Sequence, residues 1–143
     1  SYNDALWHGY HRLREGRPLA TRLFVEIAQI LKQSRLDVRS TPGTQVRNGV
    51  TGGVIYTPPE GGGVLRDKLA NLETFLHAED DLDPLVKMAV LHYQFEAIHP
   101  FTDGNGRTGR ILNILHMVHA GLLEIPVLYL SRHIIAHKSD YYR

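Results

Sequence analysis

Apolar residues recur at helical spacing in separate blocks along the chain. Leu23, Ile27, Ile30 and Leu31 share one face of a segment running from Leu19 to Leu36, the spacing of an amphipathic helix. Leu65, Leu69, Leu72 and Phe75-Leu76 repeat the pattern over residues 64–78. A third block starts at Asp83-Pro84, an N-cap followed by proline in the first helical position, and runs to Ile98. Pro100 disfavours the α region at His99 and is expected to end that helix. The fourth block starts near Asn105 and stops at Gly121. Its apolar residues Ile111, Leu112, Ile114, Leu115, Met117 and Val118 leave almost no polar face. A helix apolar all round is a buried one, so this helix is expected at the centre of a bundle. Asn3 to Glu15, closed by Gly16, gives a shorter helix ahead of these, and Ser131 is placed to cap a last one.

Residues 41–63 break the pattern. They hold seven of the thirteen glycines and three of the seven prolines. Val50-Thr51 and Val54-Ile55-Tyr56 flank Gly52-Gly53, and two glycines between β-prone runs predict a hairpin. The fold class expected is all-α with one small β-hairpin.

The 143 residues fit one domain. There is no cysteine, which removes disulfides, zinc–cysteine sites and thiol nucleophiles and leaves nothing that demands an oxidising compartment. The formal charge of +1 is a poor basis for nucleic-acid binding by counterion release. Residues 111–130 are the most apolar stretch, but Asn113, His116, His119, Glu124 and Pro126 interrupt them, so no membrane span is expected. The chain begins at Ser1 and stops at Arg143 inside a helical pattern. It reads as a fragment of a longer protein, with a cytoplasmic address expected. Twelve of its sixteen basic residues are arginine, the side chain suited to forked contact with phosphate or carboxylate.

The chemistry concentrates between the third and fourth blocks, in residues 99–110. This stretch carries an imidazole, a carboxylate, three glycines and two arginines. Gly104 and Gly106 allow the backbone to approach a ligand closely. They stand where a buried helix begins, so unpaired N–H groups and the positive dipole end face whatever lies there. Arg107 and Arg110 are three apart and share a face. Cations at a helix N-terminus are unfavourable unless a multiply charged anion sits between them. Asp103 is suited to a divalent cation, and His99 to accepting a proton at neutral pH. The set suits phosphoryl-type transfer. No lysine follows the glycines, so it is not a Walker loop.

The same stretch resembles the signature of Fic domains, H-x-F-x-[DE]-G-N-G-R-x-x-R. All eight fixed positions match: His99, Phe101, Asp103, Gly104, Asn105, Gly106, Arg107 and Arg110. The likeness extends upstream through Gln94 to Ile98, and more loosely to residues 44–59, which resemble the family's flap. The resemblance implies a single helical Fic domain over residues 1–143 that moves AMP from ATP to a Ser, Thr or Tyr hydroxyl of a target protein and releases pyrophosphate. It implies His99 as base and Asp103 as ligand of Mg²⁺. It also implies a nucleotide site formed by Asp103, Gly104, Asn105, Gly106, Arg107, Thr108, Gly109, Arg110 and Tyr142, with Arg107 on the β-phosphate and Arg110 on the γ-phosphate. Phe101 becomes a buried anchor. The flap, at Thr51, Gly52, Gly53 and Val54, would pair with the target's backbone as an added strand.

Relatives of this kind often carry an inhibitory helix, [ST]-x-x-x-E-[GN]. Residues 11–16 lack its hydroxyl and residues 57–61 are one residue short, so such a helix is expected upstream or in a partner. Self-association is left open. UMP transfer and removal of AMP keep the fold and change the reaction; kinase activity goes with a lysine where Gly106 stands. The rival of another class is a nucleotide-binding interaction module without catalysis. The nine histidines include His116 and His119 three apart and His133 and His137 four apart, spacings that also fit a metal-dependent hydrolase.

Overall fold

Five helices and one two-stranded hairpin make up residues 1–127, the part of the chain that the computed structural model describes. The expectations placed on Ser131, His133, His137 and Tyr142 lie outside the described residues.

Helix α1 (Tyr2–Arg14) opens with a capping box between Ser1 and Asp4. Helix α2 (Thr21–Lys32) is shorter than its apolar pattern suggests. Gln33 turns left-handed at φ 51° and its N–H returns to the Gln29 carbonyl, so the helix stops ahead of Leu36. Helices α3 (Gly62–His77) and α4 (Pro84–Ile98) follow the expected bounds closely. At the start of α4 the Asp83 carboxylate accepts the Leu85 N–H at 2.8 Å. Helix α5 (Asn105–His119) packs against α4, α1 and α2, which bears out its central place. It is not apolar all round in its environment, however: Ile111, Leu115 and Met117 are buried, whereas Leu112, Ile114 and Val118 are only half-buried. Buried Asn105, Thr108 and His116 take the remaining inward places.

Phe24, Phe95 and Phe101 form a chain of rings through the core, with centroids 6.0 and 6.3 Å apart. Gly9 lets α1 close onto α5 and α2: a Cβ there would stand 2.5 Å from Leu115 Cδ1 and 3.2 Å from Ile27 Cδ1.

The hairpin is present but its first strand lies earlier than expected. Strand β1 is Val46–Arg47 and pairs antiparallel with β2, Val54–Tyr56. Val50 and Thr51 belong to the connecting loop. The reason is Asn48, whose side-chain oxygen accepts the N–H groups of Val50 and Thr51 at 2.8 and 2.9 Å. An Asx-type bond of this kind starts a turn and competes with strand extension. Gly52-Gly53 complete the loop, which returns through bonds from the Asn48 N–H to the Gly53 carbonyl and from the Gly52 N–H to the Asn48 carbonyl.

Candidate active site

The loop between α4 and α5 is held from inside. The Phe101 ring is wholly buried against Phe95. Asn105 braces the backbone on both sides of that ring: its amide oxygen accepts the Phe101 N–H at 2.9 Å, and its amide nitrogen donates to the Phe101 carbonyl at 2.8 Å. Asn105 is therefore a structural side chain. What it offers a ligand is its backbone N–H.

That N–H belongs to a group of three. The first helical N–H groups of α5, on Asn105, Gly106 and Arg107, have no acceptor among the described residues. Gly104 precedes them at φ 82°, a conformation suited to glycine; its own N–H is taken by the Asp103 carboxylate at 2.7 Å. Asp103 is exposed and also pairs with the Lys32 ammonium, whose stem lies along Gly104. Lys32, then the Gly104 N–H and the charges of Lys32 and Arg107 hold the Asp103 carboxyl below its usual range against a small effect of burial. Arg110 folds back over the start of its helix: a Cβ on Gly106 would stand 3.5 Å from Arg110 Nη1 and 3.8 Å from Glu96 Oε1. The Arg107 charge acts on Asp103 and the Arg110 guanidinium lies beside Gly106, so both arginines flank the helix start that carries the three free N–H groups. This is an anion site with one hard oxygen ligand in it.

His99 stands on the other side of the loop. It caps α4 in a left-handed conformation, φ 50° and ψ 60°, with its N–H on the Phe95 carbonyl. Pro100 disfavours the right-handed helix at His99, and here the chain takes a left-handed conformation. Burial lowers the pKa of its imidazole; the nearby Arg39 charge lowers it further and Glu96 opposes both. At neutral pH the ring is uncharged and able to accept a proton.

The hairpin leaves the body next to His99. The Tyr56 hydroxyl donates to the Ala97 carbonyl at 2.9 Å, Arg39 Nη2 donates to the Pro59 carbonyl at 2.7 Å, and the Gly43 N–H donates to Glu60 Oε1 at 2.9 Å. The residues of β2 are exposed.

A model described as the Fic/DOC family matches residues 18–117, well over half of the chain. The chain belongs to the Fic/DOC family. It is 36% identical over 84 residues to a probable protein adenylyltransferase of Aquifex aeolicus, covering 59% of this chain and 26% of that protein. It is 34% identical over 110 residues to the protein adenylyltransferase Fic of Drosophila mojavensis, covering 72% of this chain and 21% of that one. The crystal structure of a Fic family protein from Desulfovibrio desulfuricans G20 matches with a TM-score of 0.71 at 25% identity, over 96% of this chain and 42% of that chain. The chain spans about a quarter or less of the length of these curated relatives.

Within the Fic motif the structure gathers Asp103, Gly104, Gly106, Arg107, Arg110 and the Asn105 N–H around the start of α5, and places His99 at the other end of the same loop, at the end of α4. Thr108 and Gly109 are not there. Thr108 is wholly buried, and Gly109 is covered by Glu96 and His92, where a Cβ would stand 3.0 and 3.3 Å from their atoms. Gly109 serves the packing of α5 on α4, and both, as the fourth and fifth residues of the helix, rotate toward the core. His116 is buried, with Nε2 on the Pro84 carbonyl at 3.1 Å, and His119 meets the ring of His77 edge-on. No cluster of three or more metal-ligating side chains exists among the described residues. Two residues of the site carry no signal in the sequence: Lys32 and Arg39 reach it from elsewhere in the fold.

Proposed function

We propose that this domain is a protein adenylyltransferase, transferring AMP from ATP to a hydroxyl side chain of a target protein. The observation that carries the proposal is the pairing of an uncharged, half-buried His99 with an anion site built from three free N–H groups, Arg107, Arg110 and Asp103 across one short loop. The names of the relatives support the same activity.

In this reading the α5 N-terminus cradles the phosphates, Arg107 grips the β-phosphate and Arg110 the γ-phosphate. His99 takes the proton of the incoming hydroxyl, whose oxygen bonds to the α-phosphorus as the bond to the β-phosphate oxygen breaks. Pyrophosphate leaves with that electron pair. Asp103 fits Mg²⁺: it is an exposed, ionised carboxylate, and Mg²⁺ is commonly held by one or two carboxylates together with substrate phosphates. When bound, the ion neutralises charge on the phosphate oxygens. Lys32 has to yield Asp103 to it.

The flap supports a protein as acceptor. β2 is short, exposed and stapled beside His99, so a target segment added along it would present its hydroxyl to the imidazole. Arg110 is exposed and forms no ion pair among the described residues. An inhibitory glutamate, in the rest of the protein or in a partner, would act by occupying that guanidinium. Among the described residues no helix is long and apolar enough to cross a membrane.

ATP labelled in the α- or γ-phosphate tests the proposal, with Mg²⁺ and candidate targets. The α-label should reach protein and the γ-label should leave as pyrophosphate. Transfer of the γ-label to protein would make the domain a kinase. ATP binding with neither label transferred would make it a binding module.

A further inference from the structure

Arg39 lies just before the flap, where nothing in the pattern of the sequence marks it, and it is 3% exposed. Among the described residues its side chain makes no bond to a carboxylate. Nε donates to the His99 carbonyl at 2.6 Å, and Nη2 donates to the Ile98 carbonyl at 3.2 Å and the Pro59 carbonyl at 2.7 Å. Its backbone N–H donates to the Pro100 carbonyl at 2.8 Å. Three consecutive carbonyls, from Ile98 to Pro100, therefore converge on one residue. Nη1 is buried without a partner among the described residues.

The last carbonyls of a helix need donors, and a cation at that end is favourable. Exposed carbonyls find water for this purpose. A buried arginine costs desolvation and leaves a donor unpaired, so capping alone is a weak reason for one. The arrangement achieves two further things. It fixes the backbone of His99 in its left-handed conformation, and it ties that backbone to the end of the flap through Pro59.

We propose that Arg39 is the positioning residue for His99, locking the backbone that carries the imidazole and joining it to the base of the flap. This rests on the reading of His99 as the base. Its charge also faces the imidazole. Among the described residues the other charged group facing His99 is Glu96 on α4; Glu60, just past the flap, and Tyr56 within it face Arg39 itself.

The test uses Arg39→Lys and Arg39→Gln in the whole chain, each checked for helicity and cooperative melting. Lysine keeps the charge but not the fork that spans three carbonyls. In both variants kcat for AMP transfer should fall about tenfold to a hundredfold, the cost of a small misplacement of a catalytic group. KM for ATP should change less than twofold, because the nucleotide contacts lie on α5. With Gln, the acidic limb of the pH–rate profile should move to higher pH as the cation beside His99 is lost; with Lys it should move less. A lowered rate with an unmoved limb in folded Arg39→Gln, or a raised KM with kcat intact, would overturn the proposal. Proton NMR titration of His99 without ATP, assigned by its absence in His99→Ala, gives a readout independent of transfer. If the wild-type protein transfers no AMP, the reading of the site fails. The His99 titration should still differ between wild type and Arg39→Gln, and identical titrations would sink the role of Arg39 alone.

Discussion

Asn105 holds the loop by one bond in each direction, and both reach the backbone of a residue whose ring is wholly buried. Replacing it by alanine strands a buried N–H and a buried carbonyl, each costing about 1–3 kcal/mol. Asn105→Ala should therefore lower stability in urea denaturation and weaken ATP binding as the three N–H groups lose their alignment. Phe101→Ala should cost about 3–5 kcal/mol, the range for emptying a buried aromatic site. At this scale the sequence was informative where the chemistry is local. Residues 99–110 are contiguous, so their types and spacing already define an anion site and a base. Lys32 and Arg39 were silent, because a basic residue looks the same whether it ends in water or against a carbonyl sixty residues away. Thr108 and Gly109 misled for the opposite reason: they sit inside the motif, but helical rotation turns them toward the core.

Among the elements, the helices follow from apolar spacing and caps. Asp83-Pro84 sets the start of α4 and Gly121, at φ 78°, lies just past the end of α5. The hairpin register did not follow from the glycines, because Asn48 intercepts the N–H groups of Val50 and Thr51 before a strand can use them. Asn48→Ala should free these N–H groups and speed hydrogen exchange at residues 48–53, while global stability changes little, since the hairpin is an exposed unit that opens locally. An unchanged exchange rate there would contradict the role given to Asn48. The approach of α1 to α5 is less forgiving. Gly9→Val would place carbon where Leu115 and Ile27 already pack, and overpacking of this kind costs about 1–3 kcal/mol, measurable by chemical denaturation.

For the whole molecule, helices α1 and α2 are joined by a charge cluster. Glu26 accepts Arg17 at 2.7 and 3.0 Å and meets His8 at 2.8 Å. Chiefly Arg17, with His8 aiding and burial opposing, brings its carboxyl from 4.5 down to about 2. A carboxyl depressed on folding stabilises the native state above its unfolded value and loses that contribution as pH falls toward its folded one. Melting temperature should thus drop between about pH 4.5 and 2, and Glu26→Gln should flatten that part of the curve. Asp103 and Asp80 are shifted in the same direction, by Lys32 and Lys87 respectively, so some acid sensitivity should remain.

The helical frame explains why so short a motif can serve as a site. α4 delivers His99, α5 delivers the free N–H groups, and the aromatic chain from Phe24 to Phe101 anchors the loop between them in the core. The most direct test removes the base and leaves the cradle. With His99→Ala, transfer of α-labelled AMP to a target protein should fall by about 10²- to 10⁴-fold, while ATP affinity by calorimetry stays within a factor of two of wild type. Transfer that persists at the wild-type rate, or ATP binding that disappears with the imidazole, would contradict the division of labour between the two sides of the loop.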